Sequence, residues 1–286
     1  KYMVKTSTFG LCNGITIQRT GFEEVMQTLP VQNKICFVNP NDSRKHITFE
    51  ADLKVIYYVT PTYPRPEQMP ELTRLSHTLM HVPAIHWIVA DDQPLSGHTA
   101  RTGLPFTHIS SPKPHIYRSG NYQTKPRGVA NRRAALEWLQ DNVKDGVLYF
   151  GDDDNTVDLL LFNEIRNTKK VSMFPVGLIG HYGVSSPIVK NGKVVEFFDS
   201  WPGSRKFPVD MAGFAVNIGF LKPTATMPYI AGYEEDRFLT SLNLKLEDIE
   251  PLANNCSKIL VWHTKTNSMT CLFTRTAVRY RNKNIV

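Results

Sequence analysis

The sequence predicts an α/β fold whose frame is a largely parallel sheet. Residues 54–60, 86–90 and 147–150 are short runs of β-branched and aromatic side chains, which are typical of buried strands. Residues 71–80, between the first two runs, carry leucines at helical spacing, so strand, helix and strand follow one another as in a βαβ unit. The 286 residues, 41% of them hydrophobic, suffice to bury the large core of such a fold.

The segments around this unit have weaker patterns. Residues 1–50 show little periodicity, and we interpret them as an extension with one short strand at residues 34–38. Pro61 directly follows the first strand and is expected to stop it. A third strand is predicted at residues 106–109. It is followed by a polar loop at residues 110–125.

Residues 127–133 lead into a helix that includes residues 134–139, and three arginines lie in or before its first turns: Arg127, Arg132 and Arg133. Positive charges at a helix start are unfavourable against the helix dipole, and a bound anion would relieve that cost. Arginines that face solvent are the alternative. The second half of the chain predicts helices at residues 159–167 and from residue 232 onward, and three strands, at residues 171–176, 194–198 and 259–262.

Three consecutive carboxylates, Asp152, Asp153 and Asp154, follow the strand at residues 147–150. Adjacent acids repel one another, so a fold that concentrates them needs a compensating cation. Hard divalent ions take a few carboxylate oxygens together with substrate phosphates. An acidic turn that caps the next helix is the alternative, but ligands of α/β sheets bind at the carboxyl ends of strands, which favours a site.

The loop at residues 201–210 combines Trp201, Arg205 and Asp210. An indole packs against the apolar face of a pyranose while charged groups bind its hydroxyls, so this loop is a candidate sugar platform. A tryptophan of the core is the alternative.

Acidic residues open the helix after residue 232, and a carboxylate held there can serve as a base. Ordinary capping of the helix is the alternative. His263 ends a late strand, and Lys265 two residues later adds a second donor for phosphate.

The composition predicts an anionic partner, because the net charge is +7 and the pI about 9.2. The sequence has no run of about 18 apolar residues, and because it starts at Lys1 we expect a targeting or anchor segment to have been removed. The four cysteines are widely spaced and make a zinc site unlikely, while their disulfide pairing stays open: Cys12, Cys36, Cys256 and Cys271. Asn41 and Asn255 open N-glycosylation sequons.

Several stretches together resemble the animal β1,3-glucuronyltransferases, which are inverting, metal-dependent enzymes that use UDP-glucuronic acid. The resemblance covers roughly residues 54–266 and rests on the segments at 60–66, 126–129, 150–156, 175–178, 207–217 and 261–264. It implies an α/β nucleotide-sugar glycosyltransferase fold of the A type, with a Rossmann-like donor half and an acceptor half with a mixed sheet.

The resemblance also implies a domain division. Residues 1–50 are an unassigned extension or stem, residues 51–180 the donor-binding half, residues 181–266 the acceptor-binding half with the catalytic base, and residues 267–286 a basic tail. It further implies a homodimer and a type II membrane protein of the Golgi lumen whose anchor is missing from this chain.

The same resemblance implies the donor site. Tyr63 would stack on uracil, Asp92 would accept its imide N–H, and Arg132 would meet the glucuronate carboxylate. Asp154 would ligate Mn²⁺. The complete implied set of donor-binding residues is Pro61, Tyr63, Asp92, Arg127, Arg132, Asp152, Asp153, His263 and Lys265.

For catalysis the resemblance implies Glu235 as the general base, with the adjacent Glu234 as the alternative. The galactose-terminated acceptor would be bound by Trp201, Arg205 and Asp210. Two departures stand out, because the family has an arginine at the position of Lys265 and an acidic residue at the position of Ser185.

Other functions remain open at this level. A related enzyme that uses UDP-xylose is one alternative, although Arg132 would have no carboxylate to pair with. A glycan-binding relative without catalysis is another. The basic pI also suggests nucleic acid, but the chain lacks a basic-aromatic motif set, so we expect no nucleic-acid partner.

Overall fold

The computed structural model describes residues 53–93, 102–112, 114 and 127–264. Several predictions lie outside these residues: the strand at 34–38, most of the loop at 110–125, the basic tail, Asn41, Lys265, Cys12, Cys36 and Cys271.

The described residues form strands and four longer helices, numbered here in chain order. The strands are β1 (Ile56–Thr62), β2 (Ile85–Asp91), β3 (Phe106–Ser110), β4 (Val147–Phe150), β5 (Asn155–Val157), β6 (Val171–Met173), β7 (Val176–Gly177), β8 (Val184–Lys190), β9 (Lys193–Phe198), β10 (Phe214–Asn217), β11 (Ile249–Pro251) and β12 (Val261–His263). The helices are α1 (Gln68–Leu79), α2 (Val129–Asn142), α3 (Leu159–Ile165) and α4 (Glu234–Ser241).

The main sheet has seven strands in the order β11-β6-β10-β4-β1-β2-β3. Strands β4, β1, β2 and β3 are parallel, as predicted, so their carboxyl ends share one edge of the sheet. Strand β10 runs antiparallel to both β4 and β6, and this makes the sheet mixed. The α/β fold class is therefore confirmed.

Helices cover both faces of this sheet, and side chains alternate between two cores. Tyr57 and Val59 of β1 point into the core that contains Leu136 and Leu139 of α2. Their neighbours Ile56 and Tyr58 point into the opposite core, with leucines of α1 and Phe162 of α3. Burial on both faces explains why these strands read as continuous apolar runs.

A second sheet has the order β5-β12-β7-β8-β9 and lies beside the carboxyl edge of the first. Strands β8 and β9 form a hairpin whose turn is Asn191-Gly192, both with positive φ, as two-residue type I′ hairpin turns require. Strand β12 ends at His263 and pairs with β5, which directly follows the aspartate triplet. This pairing brings the late histidine to the acidic turn.

The structure corrects two predicted strand boundaries. Pro61 does not stop β1, which continues to Thr62. The Val59 carbonyl accepts from Gly151 on the β4 side, so Pro61 turns its nitrogen toward the side where β4 has ended and no N–H is needed. The single strand predicted at residues 171–176 is two strands in different sheets, because Pro175 between β6 and β7 cannot donate to a ladder.

Candidate functional site

The aspartate triplet lies at the carboxyl edge of the parallel strands, where the sequence predicted a site. Thr62 at the end of β1 donates from its hydroxyl to Asp153 Oδ2 at 2.7 Å. Gln68 in the first turn of α1 donates to Thr62 Oγ1 at 3.2 Å and to Asp91 Oδ2, at the end of β2, at 3.0 Å. The ends of β1, β2 and β4 are thus joined by side-chain hydrogen bonds.

Asp153 is buried and fully engaged by protein. The guanidinium of Arg65 donates to both of its oxygens, at 2.6 and 2.7 Å, in addition to the bond from Thr62. Arg65 also lies over the ring of Tyr63, with 4.9 Å from its Cζ to the ring centroid. Sequence reasoning missed Arg65, because it lies between two prolines in a segment without periodicity.

Asp152 pairs with a second arginine. Arg132 of α2 donates to Asp152 Oδ1 and, through its other terminal nitrogen, to the Arg127 carbonyl at 3.3 Å. Arg132 is buried, so the solvent-facing alternative is wrong for this residue, whereas Arg127 is exposed as that alternative expects. Two of the three predicted acidic charges are therefore compensated by arginines of the protein.

Asp154 is the remaining carboxylate of the triplet. Its Oδ1 is buried and has no hydrogen-bond partner among the described residues. Burial, together with the negative charge of Asp152, raises the pKa of Asp154 to about 6. No group of three or more His, Cys, Asp or Glu side chains arranged to hold a metal occurs in the described part of the chain. A cation here would have Asp154 as its protein ligand and would take its other ligands from a substrate.

The candidate base Glu235 lies in the first turn of α4 and is partly exposed. Desolvation by the surrounding protein raises the pKa of the Glu235 carboxyl to about 8. The negative charge of Asp210 raises this pKa further, while the positive charge of Arg132 lowers it. Asp236 beside it is buried and accepts from the amides of Lys206 and Phe207, at 2.6 and 2.9 Å. Asp236 therefore anchors the loop at residues 206–207, whereas Glu235 is a titratable group.

His263 and Asp210, predicted for different halves of the site, lie together. His263 Nδ1 is 3.7 Å from Asp210 Oδ2, and the pairing with Asp210 raises the pKa of the histidine. The other oxygen of Asp210 accepts from the Ala212 amide at 2.9 Å and so caps a 3-10 turn, which fixes the carboxylate. Asp210 acts electrostatically on both His263 and Glu235.

Trp201 is 48% exposed, so the alternative of a core tryptophan is wrong. Its indole makes an edge contact with Tyr233, at 5.6 Å between ring centroids, and the guanidinium of Arg205 lies over it at 4.7 Å. Arg205 is held by an ion pair with Asp199 at 3.0 Å. Gly232, with φ of +81°, makes room for the indole, because a Cβ there would lie 2.6 Å from it.

At the other end of the site, Tyr63 is exposed and Pro61 is buried in β1. Asp92 Oδ1 accepts from Asn131 Nδ2 at 3.1 Å, and the same amide donates to the Ala90 carbonyl at 3.1 Å. Asn131 orients Asp92, and its place in an amphipathic helix gave no sequence signal for that role.

The remaining predicted residues lie apart from this group. Asn255 is exposed in a left-handed turn, with φ of +55°, so its sequon is accessible. Cys256 next to it forms no disulfide within the described part of the chain, and burial raises the pKa of its thiol to about 11. Among the described residues, no helix is both long and apolar enough to cross a bilayer.

Comparison with known proteins identifies relatives. Residues 75–267 match the family model described as Glycosyltransferase family 43. Two Drosophila melanogaster proteins, galactosylgalactosylxylosylprotein 3-beta-glucuronosyltransferases S and P, are 60% and 49% identical, over 76% and 80% of this chain. The chain spans about half of their lengths, 55% and 50%. The rat galactosylgalactosylxylosylprotein 3-beta-glucuronosyltransferase 2 is 42% identical, over 80% of this chain and 74% of its own.

Proposed function

Since the chain belongs to glycosyltransferase family 43, we propose that it transfers glucuronic acid from UDP-glucuronate to the 3-hydroxyl of a terminal β-galactose, with inversion at the anomeric carbon. The observation that carries the proposal is Glu235, a partly exposed carboxylate whose pKa is raised to about 8. A base with a pKa near the working pH is suited to take a proton from a hydroxyl.

The cation of the proposed reaction is Mn²⁺, held by Asp154. The buried Asp154 Oδ1, which has no hydrogen-bond partner among the described residues, fits this assignment. A site with one protein carboxylate suits an ion that takes further oxygen ligands from substrate phosphates. When bound, the ion supplies positive charge that stabilises the diphosphate as UDP departs.

The donor is held by residues at the carboxyl edge of the main sheet. We assign Tyr63 to the uracil ring, Asp92 to its imide N–H and Arg132 to the glucuronate carboxylate. Asp152 and Asp153 would face the ribose, and the engagement of Asp153 with Arg65 and Thr62 makes it the positioning member of the pair. His263, whose pKa is raised by its pairing with Asp210, would face the leaving phosphate, and Lys265, which lies outside the described residues, is the second phosphate donor of the proposal.

In the proposed step the Glu235 carboxylate accepts the proton of the acceptor 3-hydroxyl. The oxygen attacks the anomeric carbon on the face opposite UDP, the new glycosidic bond forms, and the bond to the phosphate oxygen breaks with its electrons leaving on UDP. A single base and an in-line displacement give inversion. Glu234, the first residue of α4, is the alternative base.

The acceptor is assigned to Trp201, Arg205 and Asp210. The exposed indole offers an apolar face to a pyranose, and Arg205 is oriented by Asp199. Ser185 is buried and its hydroxyl has no partner among the described residues. It lies opposite Val176 in the ladder, and a serine there lacks the charge that an acidic side chain would bring to this position.

The remaining expectations stay predictions. These are a homodimer, a Golgi lumenal location, glycosylation at Asn255 and, outside the described residues, at Asn41. UDP-xylose is the nearest alternative donor. The buried Nε of Arg132, which has no hydrogen-bond partner among the described residues, favours glucuronate because xylose has no carboxylate to accept from it.

The test is transfer by the purified chain to a β-galactose-terminated oligosaccharide. UDP-glucuronate and UDP-xylose are compared, each with Mn²⁺ and after removal of divalent ions by a chelator. We expect transfer from UDP-glucuronate alone, dependent on the metal. Transfer from UDP-xylose, or metal-dependent UDP binding without transfer from either donor, would contradict the proposal.

A further inference from the structure

Two aromatic rings outside the residues assigned above are stacked on each other at the surface. Tyr182 and Phe198 lie with ring centroids 5.1 Å apart and an interplanar angle of 27°. They are 60% and 42% exposed. Large aromatic side chains are usually mostly buried, so an exposed stacked pair indicates a surface that meets a ligand.

Both rings stand on ordered backbone. Phe198 is the last residue of β9 and pairs with Ser186 of β8. Tyr182 lies in the loop between β7 and β8, which is closed by a hydrogen bond from the Leu178 amide to the Gly183 carbonyl at 2.8 Å. Backbone that is fixed in this way holds the pair as a preformed platform, so little conformational entropy is lost when a ligand binds.

The platform continues the proposed acceptor site. Phe198 precedes Trp201 by three residues, a distance of at most roughly 10 Å along the chain. Gly180 of the Tyr182 loop touches the side chain of Ser200, between the two aromatic residues. Trp201 in turn contacts Tyr233, which directly precedes the helix that carries Glu235. Tyr182 and Phe198 are therefore joined to Trp201 by a short stretch of chain and lie next to the proposed acceptor site.

We propose that Tyr182 and Phe198 form a distal glycan subsite, which stacks on a sugar of the acceptor beyond the residues that Trp201 meets. The inference rests on the proposed function, because it assigns further sugars to the same acceptor. Aromatic rings pack against the apolar faces of pyranoses, and the exposed His181 and Glu196 and the half-buried Ser200 nearby suit sugar hydroxyls.

The size of the pair favours a glycan over a second protein chain. One aromatic side chain buries about 150–250 Å² at most, and both rings are already half covered. A stable protein interface needs about 800 Å² per partner. One pyranose face matches the available area.

The test compares β-galactose-terminated acceptors of two, three, four and five sugars. For the chain as given we expect kcat/KM to rise roughly threefold to tenfold once the acceptor reaches the platform. Tyr182→Ala removes this rise through KM and leaves the shortest acceptor unchanged, whereas Tyr182→Phe retains it. Leu160→Ala, at an exposed position of α3, is the matched control and changes neither.

A second readout separates this inference from the proposed function. Binding of the five-sugar acceptor in the presence of UDP is measured by calorimetry, which needs no turnover. Weaker binding by Tyr182→Ala supports the subsite even if transfer from UDP-glucuronate is absent. Equal losses for all acceptor lengths overturn it, and so does a change in sedimentation of Tyr182→Ala, which would make the pair a subunit interface.

Discussion

Arg65 binds both carboxylate oxygens of Asp153, at 2.6 and 2.7 Å, although the two residues are 88 positions apart in the chain. The pair ties the middle aspartate of the triplet to the segment after β1. Because Arg65 also lies over the ring of Tyr63, one guanidinium positions both the proposed uracil platform and the acidic turn. The geometry is bidentate, which a lysine cannot reproduce.

The first prediction concerns this ion pair. Arg65→Gln leaves the buried Asp153 without its cation, and we expect a loss of roughly 3 kcal/mol in the free energy of unfolding. Affinity for UDP should fall about tenfold, and Arg65→Lys should recover only part of either loss. Denaturant unfolding and calorimetry measure the two quantities.

The double variant Arg65→Gln/Asp153→Asn serves as the control for the pair. Since it removes both charges, stability should return toward that of the original chain while UDP affinity stays low. Lys258→Gln, at an exposed position, is the control for loss of a positive charge. If the stability losses of Arg65→Gln and of Asp153→Asn simply added up in the double variant, the two side chains would not be coupled.

The second prediction concerns Glu235→Gln. The amide keeps the shape of the side chain but cannot accept the acceptor proton, so we expect kcat to fall by about 10²- to 10⁴-fold. UDP affinity should stay within about twofold, because the proposed donor contacts lie elsewhere. Glu234→Gln is the matched control at the neighbouring position, and a larger loss in that variant would exchange the two roles.

The third prediction is the pH dependence of catalysis. Because the pKa of Glu235 is raised to about 8, most of the free protein carries the neutral carboxyl at pH 7. The base must be deprotonated, so kcat/KM should rise with pH through a limb near 8. Asp210→Asn removes a negative charge that raises this pKa, and the limb should move to lower pH despite the lower activity. A limb that stays in place in Asp210→Asn would assign it to another group.

The free energy of unfolding should also depend on the titration of Glu235, but it should fall with rising pH where kcat/KM rises. The folded pKa of Glu235 is about 8 against an ordinary value of 4.5, so the unfolded chain releases this proton first as pH rises. The contribution of Glu235 to stability is therefore full below pH 4.5 and is lost progressively up to about pH 8. In Glu235→Gln this part of the decline should be missing from unfolding curves measured across that window.

The fourth prediction concerns the space that Gly232 leaves for the indole of Trp201. Gly232→Ala places a methyl group 2.6 Å from the indole, so Trp201 must move, and we expect the KM for the acceptor to rise about tenfold with the KM for the donor unchanged. Gly192→Ala is the matched control, because its φ of +72° imposes similar backbone strain with no atom within 4 Å. Both should lose about 1 kcal/mol of stability, but only Gly232→Ala should affect the acceptor.

Local patterns were sufficient for the elements whose burial is uniform. The runs of β1, β2 and β4 and the leucines of α1 face the core, so periodicity alone located them. Strands β5, β8, β10 and β11 were missed. The pairing of β5, β10 and β11 is decided by partners far along the chain, as when β10 is inserted between β4 and β6.

The sequence by itself determined the fold class, the edge of the sheet that carries the site and the residue types gathered there, because parallel strands bring their carboxyl ends together whatever the details of packing. It also predicted that clustered acids need a cation. Only the tertiary structure decided which cation each acid receives, with Arg132 for Asp152 and Arg65 for Asp153. Charge compensation depends on distance through space, and Asp154 alone of the three is left with a buried oxygen for which the described residues offer no partner.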